Sequence, residues 1–383
     1  MHRIGIYWHN GRALGHTSRC GTIGDALLRQ NNVVVGITGA SRGLELLPPE
    51  MDVLKLPSYL AYDSETGVKT WPVMKTTKSE FQNIRQNLIS TFLRDFGPDV
   101  LIVDYSPQVK KGELTRALIE SASIKKVLGL RGVLDSPEEI NDNYFAPEMV
   151  SFIQKYYTSI HVYIDPNVFR LEEYYRVPDS IRSMLKYTGY VTRSVAVTRE
   201  KARCVLGLDA SSRIIVVSFG GGQGTEGLLA EIISALGRIK DKYDQVFLAT
   251  GPYLEAESFE RLRAMVSSDG RLKLSRFLDQ LHLWMKACDL FIGSGGYNTL
   301  AEVIVTNSNA LIIPRQLSER EQRIHSNVLS DLGVVRTLQI EEISANPHLC
   351  KTIEMCLAEP IFTDRPILTN GAQRNAELIK SLI

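Results

Sequence analysis

Short apolar runs alternate with longer amphipathic stretches along the whole chain. Ile4 to Trp8, Val33 to Ile37, Val100 to Asp104 and Lys126 to Leu130 read as buried strands. Residues 22–29, 78–95 and 112–122 carry helical spacing between them. The rhythm restarts in the second half. There Arg213 to Ser218, Val246 to Thr250, Leu272 to Phe277, Leu290 to Ile292 and Ala310 to Pro314 read as strands. Helical patterns lie at 225–239, 255–267, 279–287 and 297–305. Such alternation implies parallel sheets covered by helices on both faces. The pattern therefore predicts an α/β protein of two doubly wound, Rossmann-like domains, an N-terminal one over 1–190 and a C-terminal one over 191–367. A closing helix over 368–383 is expected to pack back towards the N-terminal domain, with Asn370 as its cap. Two such domains facing across a cleft would present the C-terminal ends of their strands, the edge where open α/β sheets bind ligands.

Composition changes this picture little. A length of 383 residues suits two domains. Lys plus Arg number 44 against 43 Asp plus Glu, a net charge of +1 that gives no reason to expect a nucleic-acid partner. The five cysteines form no CxxC pair and read as reduced thiols of a cytoplasmic protein, with no metal site expected. No apolar run approaches the roughly 20 residues needed to span a bilayer, so membrane contact is expected to be peripheral at most.

Four loops carry candidate chemistry. The first follows the first strand, His9 to Arg19. Gly11 and Gly15 let its backbone turn tightly, and His16 stands where the loop enters a helix. A helix N-terminus would lower the pKa of an imidazole and leave it free to take a proton. The same loop also reads as a plain capping turn with a solvated histidine. The second loop, Gly220, Gly221, Gly222, Gln223 and Gly224, joins an apolar strand to a helix and would surround a phosphate with backbone amides. It lacks the Gly-Lys-Ser/Thr of a Walker motif. In the third, Gly293, Ser294, Gly295 and Gly296 precede Asn298, Thr299 and Glu302. The hydroxyls and amides suit a diphosphate, and the Glu302 carboxylate suits two vicinal ribose hydroxyls. The fourth runs from Pro314 to Asn327. There Glu321 and Gln322 would reach sugar hydroxyls, and Arg315, Arg323 or His325 would offset phosphate charge.

Together these residues resemble a nucleotide-sugar glycosyltransferase of the GT-B fold, in the MurG-like superfamily. The 220–224 loop resembles that family's GGSQG loop, with Gly222 in the serine place. The segment Ser275-Arg276-Phe277-Leu278-Asp279 resembles the stretch whose backbone holds the uracil base, and Gly296 to Glu302 the stretch with the ribose-binding glutamate. Gly15-His16 resembles the family's N-terminal glycine–histidine loop. A bacterial group of predicted glycosyltransferases within the superfamily is closer. Its pattern is similar to Leu14-Gly15-His16 with Arg19, Leu130-Arg131-Gly132-Val133-Leu134-Asp135, Thr188-Gly189-Tyr190-Val191, and Pro314-Arg315 followed by Glu321-Gln322. This chain departs from that group in having His325 for arginine, Gly132 for aspartate and Ala13 for glycine.

The resemblance implies transfer of a sugar, of N-acetylglucosamine type, from a UDP-linked donor to a hydroxyl or amine of a small-molecule or lipid acceptor, with inversion. No D-x-D triplet occurs in the chain, so a metal-independent reaction without further cofactor is expected. His16 is the expected base, with Asp135 or Glu113 in reserve. Arg131 is expected at the acceptor, in a pocket that also includes Tyr59, Tyr62, Trp71 and Tyr144. Alternative readings are a UDP-sugar hydrolase or 2-epimerase of the same architecture, and a non-catalytic nucleotide-binding subunit. An NAD-dependent enzyme is disfavoured, because no glycine fingerprint precedes an acidic residue after strand two.

Overall fold

The computed structural model describes residues 1–9, 14–59, 61–63, 67–69, 74, 76–108, 112–267, 269–315, 320–343 and 347–383. The chain forms two compact units. Unit 1 comprises Met1–Tyr62, Val68–Thr192 and Ile367–Ile383; unit 2 comprises Asp63–Gly67 and Arg193–Pro366.

Strands β1 (Arg3–Trp8), β2 (Val33–Thr38) and β3 (Asp52–Lys55) begin unit 1. A two-stranded pair, β4 (Ala61–Asp63) and β5 (Gly67–Lys69), stands apart from the main sheet. Strands β6 (Val100–Asp104), β7 (Lys125–Leu130), β8 (Ser159–Val162) and β9 (Leu185–Tyr187) complete a sheet of order β3-β2-β1-β6-β7-β8-β9. Its pairings are parallel throughout. The central strands are buried along their length, as a sheet covered on both faces requires.

Helix α1 (Gly15–Leu28) starts seven residues before the periodicity placed it, inside what reads as a loop. Helix α2 (Lys78–Phe96) has its limits written in the sequence. Thr77 and Glu80 form a reciprocal capping box, and Gly97 ends the helix at φ +56°. The final helix, Gly371–Leu382, packs in unit 1 on α1. Asn370 stands at its N-cap position but makes no side-chain capping bond, contrary to expectation.

Unit 2 repeats the plan. Its strands are β10 (Ile214–Ser218), β11 (Gln245–Ala249), β12 (Leu272–Ser275), β13 (Leu290–Gly293), β14 (Ala310–Ile312) and β15 (Arg336–Thr337), in parallel order β12-β11-β10-β13-β14-β15. Ile215, Val217, Val246, Leu248, Leu290 and Ile292 form its core with Leu229, Ile232 and Leu236 of the helix Glu226–Arg238.

Each sheet reverses its winding direction once. In unit 1 the reversal lies between β1 and β6, and in unit 2 between β10 and β13. A crevice opens at such a switch point because the connections leave in opposite directions. His16 follows β1, the 220–224 loop follows β10 and the 293–302 stretch follows β13, while Arg131, Phe277 and Arg315 follow β7, β12 and β14.

Candidate functional site

In unit 1, Trp8 and Asp104 are register partners at the ends of β1 and β6. Residues 10–13 of the first loop lie outside the described part. The Trp8 Nε1 donates to Thr17 Oγ1 at 3.1 Å and fixes the start of α1. This places His16 in the first turn, with its Nδ1 2.5 Å from Asp104 Oδ2. Arg19, one turn on, grips the same carboxylate, with Nε 3.0 Å from Oδ1 and Nη2 2.8 and 2.7 Å from Oδ1 and Oδ2.

Burial alone would raise the Asp104 carboxyl. The Arg19 and His16 charges and hydrogen bonds outweigh it and hold the group at about 2. An ionised carboxylate only accepts, so the His16 Nδ1 carries the proton and Nε2 carries the lone pair. Burial lowers the His16 pKa, Asp104 opposes that, and Arg19 and Arg131 reinforce it. The sequence suggested the helix terminus as the cause; desolvation and two guanidinium groups are what the structure offers instead. The ring remains 19% exposed. Tyr105 packs its ring 5.5 Å from His16, and Arg131 stacks on Tyr105 at 4.5 Å.

The reserve bases are placed differently. Glu113 is fully buried and accepts from Arg85 Nη2 at 2.6 Å, Arg85 Nε at 2.8 Å, Tyr7 at 2.7 Å and Tyr59 at 2.8 Å. A carboxylate so enclosed has no access to a substrate proton, and Tyr59 is thereby committed to the same network. Asp135 is half-buried and accepts from its neighbour's amide, Ser136 N, at 2.7 Å. Tyr144 donates to the Tyr105 carbonyl at 3.1 Å. Trp71 and the Tyr62 side chain lie outside the described part. Gly132 sits at φ +94°, where a Cβ would fall 2.6 Å from Ile164. An aspartate would fit there only with a shift of Ile164 and a strained backbone.

In unit 2, Ser218 and Gly293 are register partners at the ends of β10 and β13. The loop after β10 is left-handed at Gly220, Gly222 and Gly224. A Cβ on Gly222 would stand 2.0 Å from the Thr250 carbonyl, so the family's serine has no room here. Gly221 accepts from Tyr253 N at 2.9 Å. The helix that follows, Glu226–Arg238, has no side-chain cap. Its Glu226 is engaged by Arg261 and Ser258, which leaves the first amides for another acceptor.

The loop after β13 leads to the helix Tyr297–Thr306, again with no side-chain cap and no acid in its first turn. Ser294 is buried, and Gly296, Asn298 and Thr299 are half-buried. Gly295 lets a second helix, Glu321–Asp331, approach. A Cβ there would lie 2.2 Å from Ser326 Oγ. The Glu302 carboxyl is half-buried without a hydrogen-bond partner among the described residues, and burial pushes it up to about 7 although Arg193 pulls it down.

Arg315 ties the loops together. Its guanidinium donates to the Gln223 carbonyl, and its amide donates to Gln322 Oε1 at 3.2 Å. It forms no ion pair with a described carboxylate, and burial lowers its pKa. Residues 316–319 lie outside the described part. Glu321 and His325, expected at the donor sugar, are instead buried, with the His325 ring 6.3 Å from that of Tyr297. His325 fills the interface between two helices, so its difference from related chains is a packing difference first. Phe277 is 56% exposed and Leu278 half-buried just beyond β12, where Ser275 Oγ donates to the Phe277 carbonyl at 3.0 Å.

Sequence reasoning missed Asp104 as the partner of His16. The one available signal was an acid closing the otherwise wholly apolar run Val100 to Val103.

Known proteins resemble the chain in part of its sequence and in its fold. Residues 214–380 match the model of the glycosyltransferase family 28 C-terminal domain. The chain is 25% identical over 166 residues to the UDP-N-acetylglucosamine--N-acetylmuramyl-(pentapeptide) pyrophosphoryl-undecaprenol N-acetylglucosamine transferase of Alkaliphilus oremlandii, covering 43% of this chain and 45% of that protein. It is 25% identical over 177 residues to the transferase of the same name from Haemophilus influenzae, covering 45% and 49%. The chain thus spans about half the length of the curated relatives it matches. Among solved structures, MurG of Acinetobacter baumannii aligns with a TM-score of 0.63 at 14% identity over 99% of both chains. The UDP-GlcNAc 2-epimerase of Methanocaldococcus jannaschii aligns at 0.60 with 12% identity, again over 99% of both. Likeness at these identities concerns the fold. Residues 214–380 thus resemble a glycosyltransferase family 28 C-terminal domain, within a chain whose whole length shares the fold of MurG and of the UDP-GlcNAc 2-epimerase.

Proposed function

We propose that the protein is an inverting, metal-independent glycosyltransferase that takes an N-acetylglucosamine-type sugar from a UDP-linked donor. The observation that carries this reading is the Asp104–His16 pair at the switch point of the first sheet. It presents a neutral imidazole with its tautomer fixed, which is what proton removal from an acceptor hydroxyl requires. Unit 2 supplies the donor site. The amides of Gly220–Gly224 and Gly293–Gly296 and the Arg315 guanidinium face the diphosphate, Glu302 the ribose, and the backbone at Phe277 and Leu278 the base. Gln322 borders the sugar, while Glu321 and His325 support that border from behind.

The acceptor oxygen attacks the anomeric carbon, and its proton passes to His16 Nε2. The bond from that carbon to the diphosphate oxygen breaks, and UDP leaves. Preorganised amides and Arg315 stabilise the charge that develops on the leaving group. Arg131, beside His16, orients the acceptor, and Asp135 flanks it. The curated relatives are named for transfer to a lipid-linked pyrophosphoryl acceptor, so an acceptor of that class is the first to test. Asp135 as a second base is the fallback assignment.

The test is incubation with UDP-N-acetylglucosamine and polyprenyl-linked or soluble acceptors, with EDTA present, and product analysis by mass spectrometry and NMR. An inverted glycoside supports the reading. Loss of donor at the same rate without any acceptor would point to a hydrolase, and conversion of the donor to its C2 epimer would point to an epimerase.

A further inference from the structure

Arg19 is buried, and its charge faces inward. It binds Asp104 through three contacts of 3.0 Å or less, and its Nη2 lies 3.2 Å from His16 Nδ1. Because His16 Nδ1 donates to Asp104, Arg19 cannot donate to that nitrogen. The 3.2 Å approach is a contact between a cation and the edge of a neutral ring. Protonating the ring at Nε2 would place two positive charges on one buried carboxylate. Arg131 on Tyr105 would add a third nearby.

A carboxylate paired with histidine alone would favour the imidazolium, since an opposite charge at such a distance favours the charged form. Here that charge is already neutralised. Among the described residues, the charged groups facing His16 are Asp104 from β6, Arg19 from α1 and Arg131 beyond β7. They sum to a positive surrounding.

We infer that Arg19 is a positioning residue for the base: it holds the Asp104 carboxylate in the plane that fixes the His16 tautomer, and its charge keeps His16 unprotonated at neutral pH. The inference rests on the reading of His16 as the base, but its physical content does not need turnover.

The test is therefore read first on the protein without substrate. The titration midpoint of His16 is measured by histidine-selective NMR, with the resonance among the seven histidines assigned by loss in His16→Gln. Three variants are compared. In Arg19→Gln and Arg19→Met the charge is gone, and the midpoint rises by about one pH unit or more, a tenfold shift towards imidazolium. In Arg19→Lys the charge stays but the fork is lost, and the midpoint stays within about half a unit of the wild type. The acid limb of kcat/KM for glycosyl transfer moves up in parallel in the two neutral variants, and activity recovers towards a plateau as the pH is raised.

Neutral variants that titrate as the wild type does, or a lysine variant that titrates as the neutral ones do, overturn the inference. If both neutral variants fail to fold, Arg19→Lys decides alone: a kept midpoint supports the role of the charge, and a raised one refutes it. Failure of the functional reading looks different, namely no transfer product with the NMR shifts intact.

Discussion

Replacing Glu302 with glutamine should stabilise the protein while weakening its hold on the donor. The carboxyl is half-buried without a hydrogen-bond partner among the described residues, and burial raises it from 4.5 to about 7. A carboxyl raised on folding contributes stability below about pH 4.5, and that contribution is lost as the pH rises through about 7. At about 1.4 kcal/mol per pKa unit, the full deficit at pH 8 is on the order of 3 kcal/mol, and partial exposure trims it to roughly 2 kcal/mol. Glu302→Gln removes the ionisation and hence the deficit. Urea or thermal denaturation at about pH 4 should find variant and wild type alike. At pH 8 the variant should melt several degrees higher, since each kcal/mol moves Tm by about 2–4 °C for a unit of this size. Calorimetry with UDP should show the opposite sign. Losing an ionised acceptor for the ribose hydroxyls costs about 1.5–3 kcal/mol, or roughly 10–100-fold in Kd. Wild-type affinity should itself rise about tenfold between pH 6 and pH 8 as the carboxyl ionises. A variant no more stable than wild type at pH 8, or one that binds UDP equally well, would refute the reasoning.

Three further outcomes are expected. His16→Ala should retain UDP binding and lose roughly 10²–10⁴-fold in kcat; a turnover assay beside calorimetry checks this. Gly222→Ala should destabilise unit 2 by about 2 kcal/mol or more, because φ +85° disfavours any Cβ and the Thr250 carbonyl occupies its place. Urea melts and UDP affinity should fall together. Glu113→Gln should cost about 3–5 kcal/mol by stranding Arg85, read as a lower urea midpoint, without changing the pH profile of catalysis in the protein that remains folded.

Central strands were legible because a strand covered on both faces must be apolar throughout, as Val100 to Val103 shows. The strands β8, reading Ser-Ile-His-Val, and β9, reading Leu-Lys-Tyr, lie towards the sheet edge and were missed. Polar residues there interrupt the apolar run. In the site, the glycine loops of unit 2 announced themselves, since left-handed backbone at Gly220, Gly222 and Gly224 demands that residue type. The Asp104–His16 pairing did not, because 88 residues separate partners that only parallel strand register brings together. Periodicity began α1 too late and so hid that His16 and Arg19 share one helical face. His325 misled for a related reason: a polar side chain in a polar stretch reads as exposed until the second helix covering it is known.

The return of Ile367–Ile383 to unit 1 constrains the order of assembly. Residues Ala372, Ala376 and Ile379 of the last helix are buried there, and the Leu368 amide is held by Asp165 at 2.7 Å. A chain emerging from the ribosome presents all of unit 2 before the piece that finishes unit 1. Unit 1 must therefore wait, with the seat for that helix open, while the later-made unit has everything it needs to fold. Synthesis runs from the N-terminus, yet completion runs the other way, and a nascent chain stalled before residue 367 should keep an apolar groove on unit 1 for chaperones to bind.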